Sequence, residues 1–585
     1  MNYLKRKIIE NQNLIIIGLL IVLGFSLYAN TFNNQMFWDD DDFILKNQYV
    51  HNFSFGKFFS ENLIAGSGLV SNYWRPALLT VFSLEWHIWQ DWTPGFHFVN
   101  TSMHIINVLL LFFLLTKIFA VNFFKPTSPP HPSLSSRGEG GKTIIVFFTA
   151  LLFLIHPLQT EAVTYVNSLG DSLSVLFMLL GLRSYLLYTA QADKKSDSLS
   201  YIYTNIYFIL ALMSKETAIV FPALVFLVDF FQTKNQNLPL KTRLLNAWKN
   251  IWPILSIALI YIILRATALN FKNSFNLYNE RNDYTSNIFV RVLTFFKIII
   301  VYLKLLFYPV GLHMERSIEI ATKFSWDIVF GGLVSLGLAL SSLKYYKKIP
   351  IYSFGILWFF IGLAPTSNIV VPINGLLYEH WLYLPMIGFW LAICSLVYYC
   401  HSEHSACLTV GRKNLVCRSF TLFRMTALRI FVFAGILLWF GFLFVKTIER
   451  NKEWQNPITF YNQTLEYAPN NYRILNNLGM AYADAGQNDN AIKNYEKAIA
   501  LDPNNPVAYH NLGNAYASIG QKEKALLQFQ KALTLDPKFL FTYGQLINLY
   551  LQDKDYPNAK IWLNKLLEVQ PDNEQAKYIL QQLPK

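Results

Sequence analysis

The sequence predicts an all-α protein in two parts: a polytopic bundle of about eleven membrane-spanning helices over residues 1–450, then a soluble helical-repeat solenoid over residues 451–585. Three observations carry this. Only 15% of the 585 residues are charged and 53% are hydrophobic, far from the roughly 25% charged of soluble domains. Apolar runs of about 15–25 residues, the length that crosses a bilayer, recur through the first three-quarters of the chain. The last quarter is polar and periodic, with Pro469, Pro503, Pro537 and Pro571 recurring every 34 residues.

The first span, about 13–30, follows Lys5, Arg6 and Lys7 and has no small-residue cleavage site after it. It therefore reads as a retained anchor with a cytoplasmic N-terminus. Residues 31–96 form a long loop holding NQMFWDDDDFILKN (Asn34 to Asn47), SNYWRP (Ser71 to Pro76) and a segment whose Trp86, Trp89 and Trp92 suit a helix lying in the membrane interface. Further spans are expected at about 97–118, 143–156, 172–190, 201–213, 217–231, 251–269, 326–343, 350–365, 386–400 and 427–446. Arg291, Lys297 and Lys304 interrupt the run at 288–310, which is read as interfacial.

The charge of +13 is spread over short loops (Lys125, Arg137 and Lys142; ADKKSD; Lys234 to Lys249; KYYKK; Arg412, Lys413, Arg418 and Arg424). This is the placement of cytoplasmic loops and not a nucleic-acid stripe. The aspartates, HPLQTEAV (His156 to Val163) and SKE (Ser214 to Glu216) then share the outer face, and the C-terminal part emerges on that exoplasmic side, a periplasm or a lumen. Cys394, Cys400, Cys407 and Cys417, near His401 and His404, lack the paired spacing of a zinc site and read as reduced thiols.

Four consecutive aspartates, Asp39 to Asp42, repel one another, and no core would select them. At a membrane boundary such a cluster marks a site able to hold a cation or act as general base; the alternative is a solvated acidic cap. Alternatives also stand beside the other polar residues. Arg75 could snorkel to headgroups, Lys215 and Glu216 could pair with each other at a helix end, and His97 and His104, seven apart on one helix face, could simply pack.

In the C-terminal part Leu478, Gly479, Tyr482, Ala491, Tyr495 and Ala498 reappear as Leu512, Gly513, Tyr516, Ala525, Phe529 and Ala532. The third copy keeps Leu546, Tyr550 and Ala559 but has Ile547, Leu563 and Leu566. This is the tetratricopeptide pattern, with repeats at about 472–505, 506–539 and 540–573 after a degenerate half-repeat from Trp454. Its concave face implies a protein or peptide partner.

Acidic residues after a first span, a polytopic domain and terminal tetratricopeptide repeats together resemble the TMTC-type protein O-mannosyltransferases, within the multi-spanning GT-C glycosyltransferases. Asp39-Asp40 with Ile44 and Asn47 fit the family's acidic motif, YWRP (Tyr73 to Pro76) resembles its YRPL, and His97, Asn100 and His104 resemble its histidine-rich second span. HPLQTEAV, SKE and YEHWLYLP (Tyr378 to Pro385) also resemble family motifs. Two positions depart: Ser168 to Asp171 replaces GRAD, and Glu379-His380 replaces Glu-Arg, so two arginines are lost.

The resemblance implies sugar transfer, with mannose the expected sugar, from a polyprenyl-phosphate donor to an exported protein. Asp39 or Asp40 would be the catalytic base, and Arg75, His156, Glu161, Asp171, Lys215, Glu216, Glu379 and His380 would bind donor phosphate or substrate. Asp40, Glu161 and Asp171 are hard oxygen ligands that would suit Mg²⁺ or Mn²⁺ if the reaction uses a cation. Competing readings are transfer to a lipid or polysaccharide, a scaffold recruiting partners through the repeats, and a transporter. Transport carboxylates belong near the midplane, and these belong to outer loops.

Overall fold

The computed structural model describes residues 2–120, 138–190, 198–232, 239–271, 283–316, 318–373, 375–410 and 415–584. The chain forms two compact units, Met1–Gln455 and Asn456–Lys585. Among the described residues both are helical, with no strand. Lys125, Arg137, Lys234, Arg412, Lys413 and the ADKKSD loop lie outside the described residues, as do the side chains of His401, His404, Cys407 and Cys417. Cys394 and Cys400 are free thiols.

Among the described residues of the first unit six helices are long and apolar enough to cross a membrane: Gln12–Thr31, Thr93–Phe119, Val166–Ala190, Lys241–Ala266, Trp326–Tyr345 and Val432–Glu453. A bent pair, Gly141–Ile155 with Pro157–Thr164, makes a seventh, and Ser198–Ser214, Pro350–Thr366 and Pro385–Cys400 are shorter apolar helices. Length and composition thus support six or seven of the roughly eleven expected spans. Ile288–Phe307 is one continuous helix, and its Arg291 is buried, donating to the carbonyls of Ile369 and Thr285 at 3.1 and 2.9 Å. On Lys241–Ala266 and Trp326–Tyr345, Leu259, Ile260, Ile263, Leu333, Leu336 and Leu340 are all exposed, an apolar surface that suits lipid better than water.

The 55° bend of the pair has a local cause. Pro157 offers no N–H and pushes the preceding residue out of the helical region; His156 sits at φ −75°, ψ 131°. Its Nδ1 accepts the Leu158 N–H at 3.3 Å, so the other nitrogen, Nε2, donates to the Leu306 carbonyl at 2.9 Å. Elsewhere a Cβ on Gly355 or on Gly388 would lie 2.5 Å from the other's carbonyl oxygen. The Pro350–Leu363 and Pro385–Val410 helices therefore cross backbone to backbone, as small residues permit in membrane bundles.

The second unit is three helix pairs, Tyr472–Asp484 with Asn488–Leu501, Pro506–Ser518 with Lys522–Leu535, and Leu540–Gln552 with Tyr556–Val569, flanked by Pro457–Tyr467 and Glu574–Gln582. Asn471 and Asn505 cap the first helices of two pairs by accepting N–H bonds from Ile474 and Val507. The repeat glycines are spaces for aromatic rings. A Cβ on Gly479 would meet the Tyr495 ring at 2.5 Å, and one on Gly513 the Phe529 ring at 2.5 Å. Where the third copy has Ile547, its partner is the smaller Leu563, and both are buried. The two sequence changes compensate one another in volume.

Candidate active site

The acidic segment is bound to the rest of its unit through backbone groups. Asp40 is 1% exposed; its Oδ1 accepts the Asn167 N–H at 2.8 Å and its Oδ2 the Phe37 N–H at 3.2 Å. Burial pushes the Asp40 carboxyl well above the usual carboxylate range, and those two N–H bonds only partly oppose it. Asp39 is half-buried, and its N–H donates to the Tyr165 hydroxyl at 3.1 Å. Before it, Trp38 is held at φ 65°, a costly conformation for a bulky residue. After it the chain makes a wide π-type turn over Asp41–Leu45. Asp41 pairs with Lys46 at 2.7 Å in an exposed position.

Asn167 begins the stretch that leads to Asp171. The carboxylate of Asp171 accepts from Lys215 Nζ at 2.6 Å, with 8% and 9% of the two side chains exposed. Arg75 makes a bidentate pair with Glu216, Nη2 to Oε1 at 2.7 Å and Nε to Oε2 at 3.0 Å, and its guanidinium lies 4.8 Å from the Tyr73 ring centre. Burial alone would raise the Glu216 carboxyl, but the Arg75 guanidinium holds it at about 2. The pairing of Lys215 with Glu216 allowed by the sequence is therefore not what forms. Lys215 has extended backbone, φ −158° and ψ 138°, which sends successive side chains to opposite sides. Each then finds its partner across the fold. Gly170 keeps this junction tight, since a Cβ there would approach the Ser214 carbonyl at 3.2 Å.

A second cluster gathers around YEHWLYLP. Both Glu161 oxygens accept from His380, one from Nδ1 at 2.8 Å and one from the backbone N–H at 3.0 Å. Glu379, fully buried, faces Arg450 Nη2 at 3.3 Å and Arg316 Nη2 at 3.6 Å. These two arginines belong to no motif noted in the sequence. Both bring guanidinium groups to Glu379, the residue before His380. Tyr383 accepts or shares hydrogen bonds with His104 Nδ1 at 2.8 Å and Asn107 Nδ2 at 3.2 Å, while Asn107 also donates to the Ser172 carbonyl at 2.7 Å. His97 is buried with Nε2 on the Asn34 carbonyl at 3.1 Å, and Asn100 donates to the carbonyls of Tyr165 and Val166.

The two clusters meet at one cleft, lined by Asp171, Thr217, Thr366, His380, Trp381 and Tyr383. Asp171, His380 and their partners Lys215 and Glu161 are thus brought together. Arg75 and Glu216 adjoin them through the neighbouring backbone. His156 stands apart as a fully buried cap with both nitrogens used inside the protein, which leaves it no atom for a donor phosphate. The three carboxylates offered for a divalent cation do not converge: Asp40 faces backbone N–H groups, Asp171 faces Lys215, and Glu161 faces His380. Among the described residues no group of three or more His, Cys, Asp or Glu is placed to hold a metal ion.

Family models for the tetratricopeptide repeat match residues 460–493, 479–520 and 506–539. A protein O-mannosyl-transferase of Caenorhabditis elegans is 24% identical over 491 residues, 82% of this chain and 61% of that one. Protein O-mannosyl-transferase TMTC3 of Mus musculus is 22% identical over 81% of this chain and 50% of its own length. For TMTC4 of Homo sapiens the figures are 22%, 82% and 65%. Over about four-fifths of its length the chain is thus similar to proteins named protein O-mannosyl-transferases, it spans between half and two-thirds of theirs, and it carries tetratricopeptide repeats in its C-terminal part.

Proposed function

We propose that the first unit transfers a sugar, mannose first among candidates, from a polyprenyl-phosphate donor to a hydroxyl of an exported protein, on the exoplasmic side of a membrane. The observation that carries this reading is the continuity from the acidic segment to the cleft. Asp40 is bonded to Asn167, and a few residues on, Asp171 pairs with Lys215 and lines the cleft shared with His380. The names of the relatives support protein glycosylation in particular.

In this mechanism Asp39 is the base, because Asp40 is sealed and its oxygens are committed to backbone N–H groups. Asp40 positions it. The acceptor hydroxyl gives its proton to the Asp39 carboxylate while its oxygen attacks the anomeric carbon from the face opposite the phosphate. The bond from that carbon to the phosphate oxygen breaks, the configuration inverts, and polyprenyl phosphate leaves with the electron pair. The Lys215 and Arg75 N–H groups not used toward Asp171 and Glu216 meet the developing negative charge. His380, fixed by Glu161, forms the facing wall. No step is routed through a cation.

The test is transfer of labelled mannose from polyprenyl-phosphate mannose to protein in membranes holding the wild type, Asp39→Asn or Asp40→Asn at matched expression. Loss of a general base lowers transfer about 10²- to 10⁴-fold, so Asp39→Asn should fall in that range and Asp40→Asn should fall less. Equal label in all three would remove the aspartates from the chemistry. Failure of the wild type with mannose-, glucose-, arabinose- and galactose-linked donors alike would overturn the reading.

A further inference from the structure

We propose that Tyr165 and Trp454 are positioning residues for Asp39, a stacked pair of rings that fixes the backbone from which its carboxylate projects. What Asp39 does rests on the sugar-transfer reading; how it is held does not.

The first observation is that the acidic segment keeps a conformation it would not adopt alone. Trp38, directly before Asp39, sits at φ 65°, and a bulky residue stays there only where its surroundings over-determine it. Part of the hold is local. The Asp41 N–H donates to the Trp38 carbonyl at 3.2 Å, and Asp40 Oδ2 accepts the Phe37 N–H at 3.2 Å.

The second observation is where the rest of the hold comes from. On one side, the end of the last long helix of the first unit reaches residues 34–37. Asn34 Nδ2 donates to the Asn451 carbonyl at 3.1 Å, the Gln35 N–H donates to the Gln455 carbonyl at 3.0 Å, and the Phe37 ring lies 6.0 Å from that of Trp454. On the other side, residues 165–167 reach residues 39 and 40. The Tyr165 hydroxyl accepts the Asp39 N–H at 3.1 Å, and the Asn167 N–H donates to Asp40 Oδ1 at 2.8 Å.

The stack joins these two sides. The rings of Tyr165 and Trp454 have centroids 5.1 Å apart and planes 26° apart, a spacing at which such pairs attract. They are 4% and 1% exposed. Thr164 adds a second tie by donating to Asn451 Oδ1 at 2.9 Å. Trp454 opens the degenerate half-repeat in the sequence, yet it packs inside the first unit, which ends at Gln455. It touches Phe37 ahead of the strained residue and Tyr165 behind Asp39. Without it the Tyr165 ring is free to tilt, its hydroxyl leaves the Asp39 N–H, and Trp38 relaxes to negative φ and turns the carboxylate away. A general base must stand within hydrogen-bond reach of the proton it takes, and a misplacement of about 1 Å costs about 10²-fold.

The experiment uses the full chain and two readouts. Hydrogen exchange over Asn34–Asp42, followed by mass spectrometry without donor, reads the hold. Exchange should quicken about tenfold in Trp454→Leu and in Tyr165→Phe, which removes the acceptor hydroxyl, leaves no cavity and keeps the test decisive where Trp454→Leu expresses poorly. Trp454→Phe, which restores a stacked ring, should return most of the protection. Steady-state transfer reads the chemistry. Trp454→Leu should lower kcat about 10- to 10²-fold and change the donor KM less than about twofold. Added to Asp39→Asn, it should cost less than about twofold more, because no base is left to position, whereas a merely structural loss would add in full. Unchanged exchange, a loss in KM alone, or a full further loss on Asp39→Asn would each overturn the proposal. Faster exchange beside wild-type transfer by Asp39→Asn would instead overturn Asp39 as the base and leave the hold on its segment upheld.

Discussion

The Lys215–Asp171 pair allows a structural role to be separated from a chemical one. Its atoms are 2.6 Å apart, and less than a tenth of either side chain is exposed. At an effective dielectric constant of about 20 the gross attraction at that spacing is about 6 kcal/mol, most of it offset by desolvation. Lys215→Met leaves a buried carboxylate without a partner, and removing one member of such a pair costs about 3–5 kcal/mol. Asp171→Met leaves a buried ammonium and should cost about the same. The double variant removes both charges and should return to within about 1 kcal/mol of wild type, because a well-packed apolar pair replaces a buried ion pair at little cost. Denaturation in detergent, followed by tryptophan fluorescence, reads this cycle. Transfer activity reads something else. If Lys215 meets the leaving phosphate, the double variant regains its fold and still loses about 10²-fold in rate, the scale of one lost electrostatic ligand. A double variant destabilised by the sum of the two single changes would show that the pair does not hold this junction. A stable double variant with full transfer would remove Lys215 from the chemistry.

Three further outcomes follow from the geometry. Alanine is the better helix former by about 1 kcal/mol, yet Gly513→Ala should destabilise its repeat by about 1–2 kcal/mol, because the added Cβ meets the buried Phe529 ring at 2.5 Å; adding Phe529→Leu should recover most of this, and hydrogen exchange of the Pro506–Ser518 amides measures both. Lys554, at φ 58°, stands at the turn position held by Gly486 and Gly520 at φ 73° and 75°, so Lys554→Gly should stabilise the third repeat by about 0.5–1 kcal/mol in the same exchange experiment. Asp40 has its carboxyl raised in the folded state, so it favours folding most below the unfolded value of about 3.9, and that contribution is lost as pH rises toward the folded value. Unfolding followed against pH should show stability falling through that window in wild type and a flatter profile in Asp40→Asn.

Much of this was legible from periodicity and charge. A 34-residue repeat states its own fold, because each pair must bury the same positions against its neighbour. The sequence also placed the acidic segment, HPLQTEAV and SKE on one face; in the fold Asp171 and His380 line one cleft with Lys215 and Glu161 as their partners, and Asp39 and Asp40 are not among its lining residues. Two features were not legible. Arg316 and Arg450 lie in a loop and at the end of the last long helix of the first unit, with no spacing that ties them to Glu379. Only the tertiary fold brings them there. His156 was a candidate ligand because HPLQTEAV resembles a family motif, but the residue before a proline at a helix break has a capping role open to it, and the structure uses it so.

The crossed pairs make the same point more sharply. Adjacent opposite charges such as Lys215 and Glu216 invite pairing with each other, yet neighbours in extended backbone point to opposite sides. The charge of each residue was readable, and the direction of its side chain was not. That direction places Lys215 on the helix that carries Asp171 and Glu216 on the loop that carries Arg75. Two ion pairs then join three segments that are far apart in the chain, and one of them opens on the cleft. A pair made within SKE would have joined nothing. Two cations whose carboxylates come from other segments are thus fixed by the fold, and under the proposed sugar transfer they are the positive groups in place for the departing phosphate.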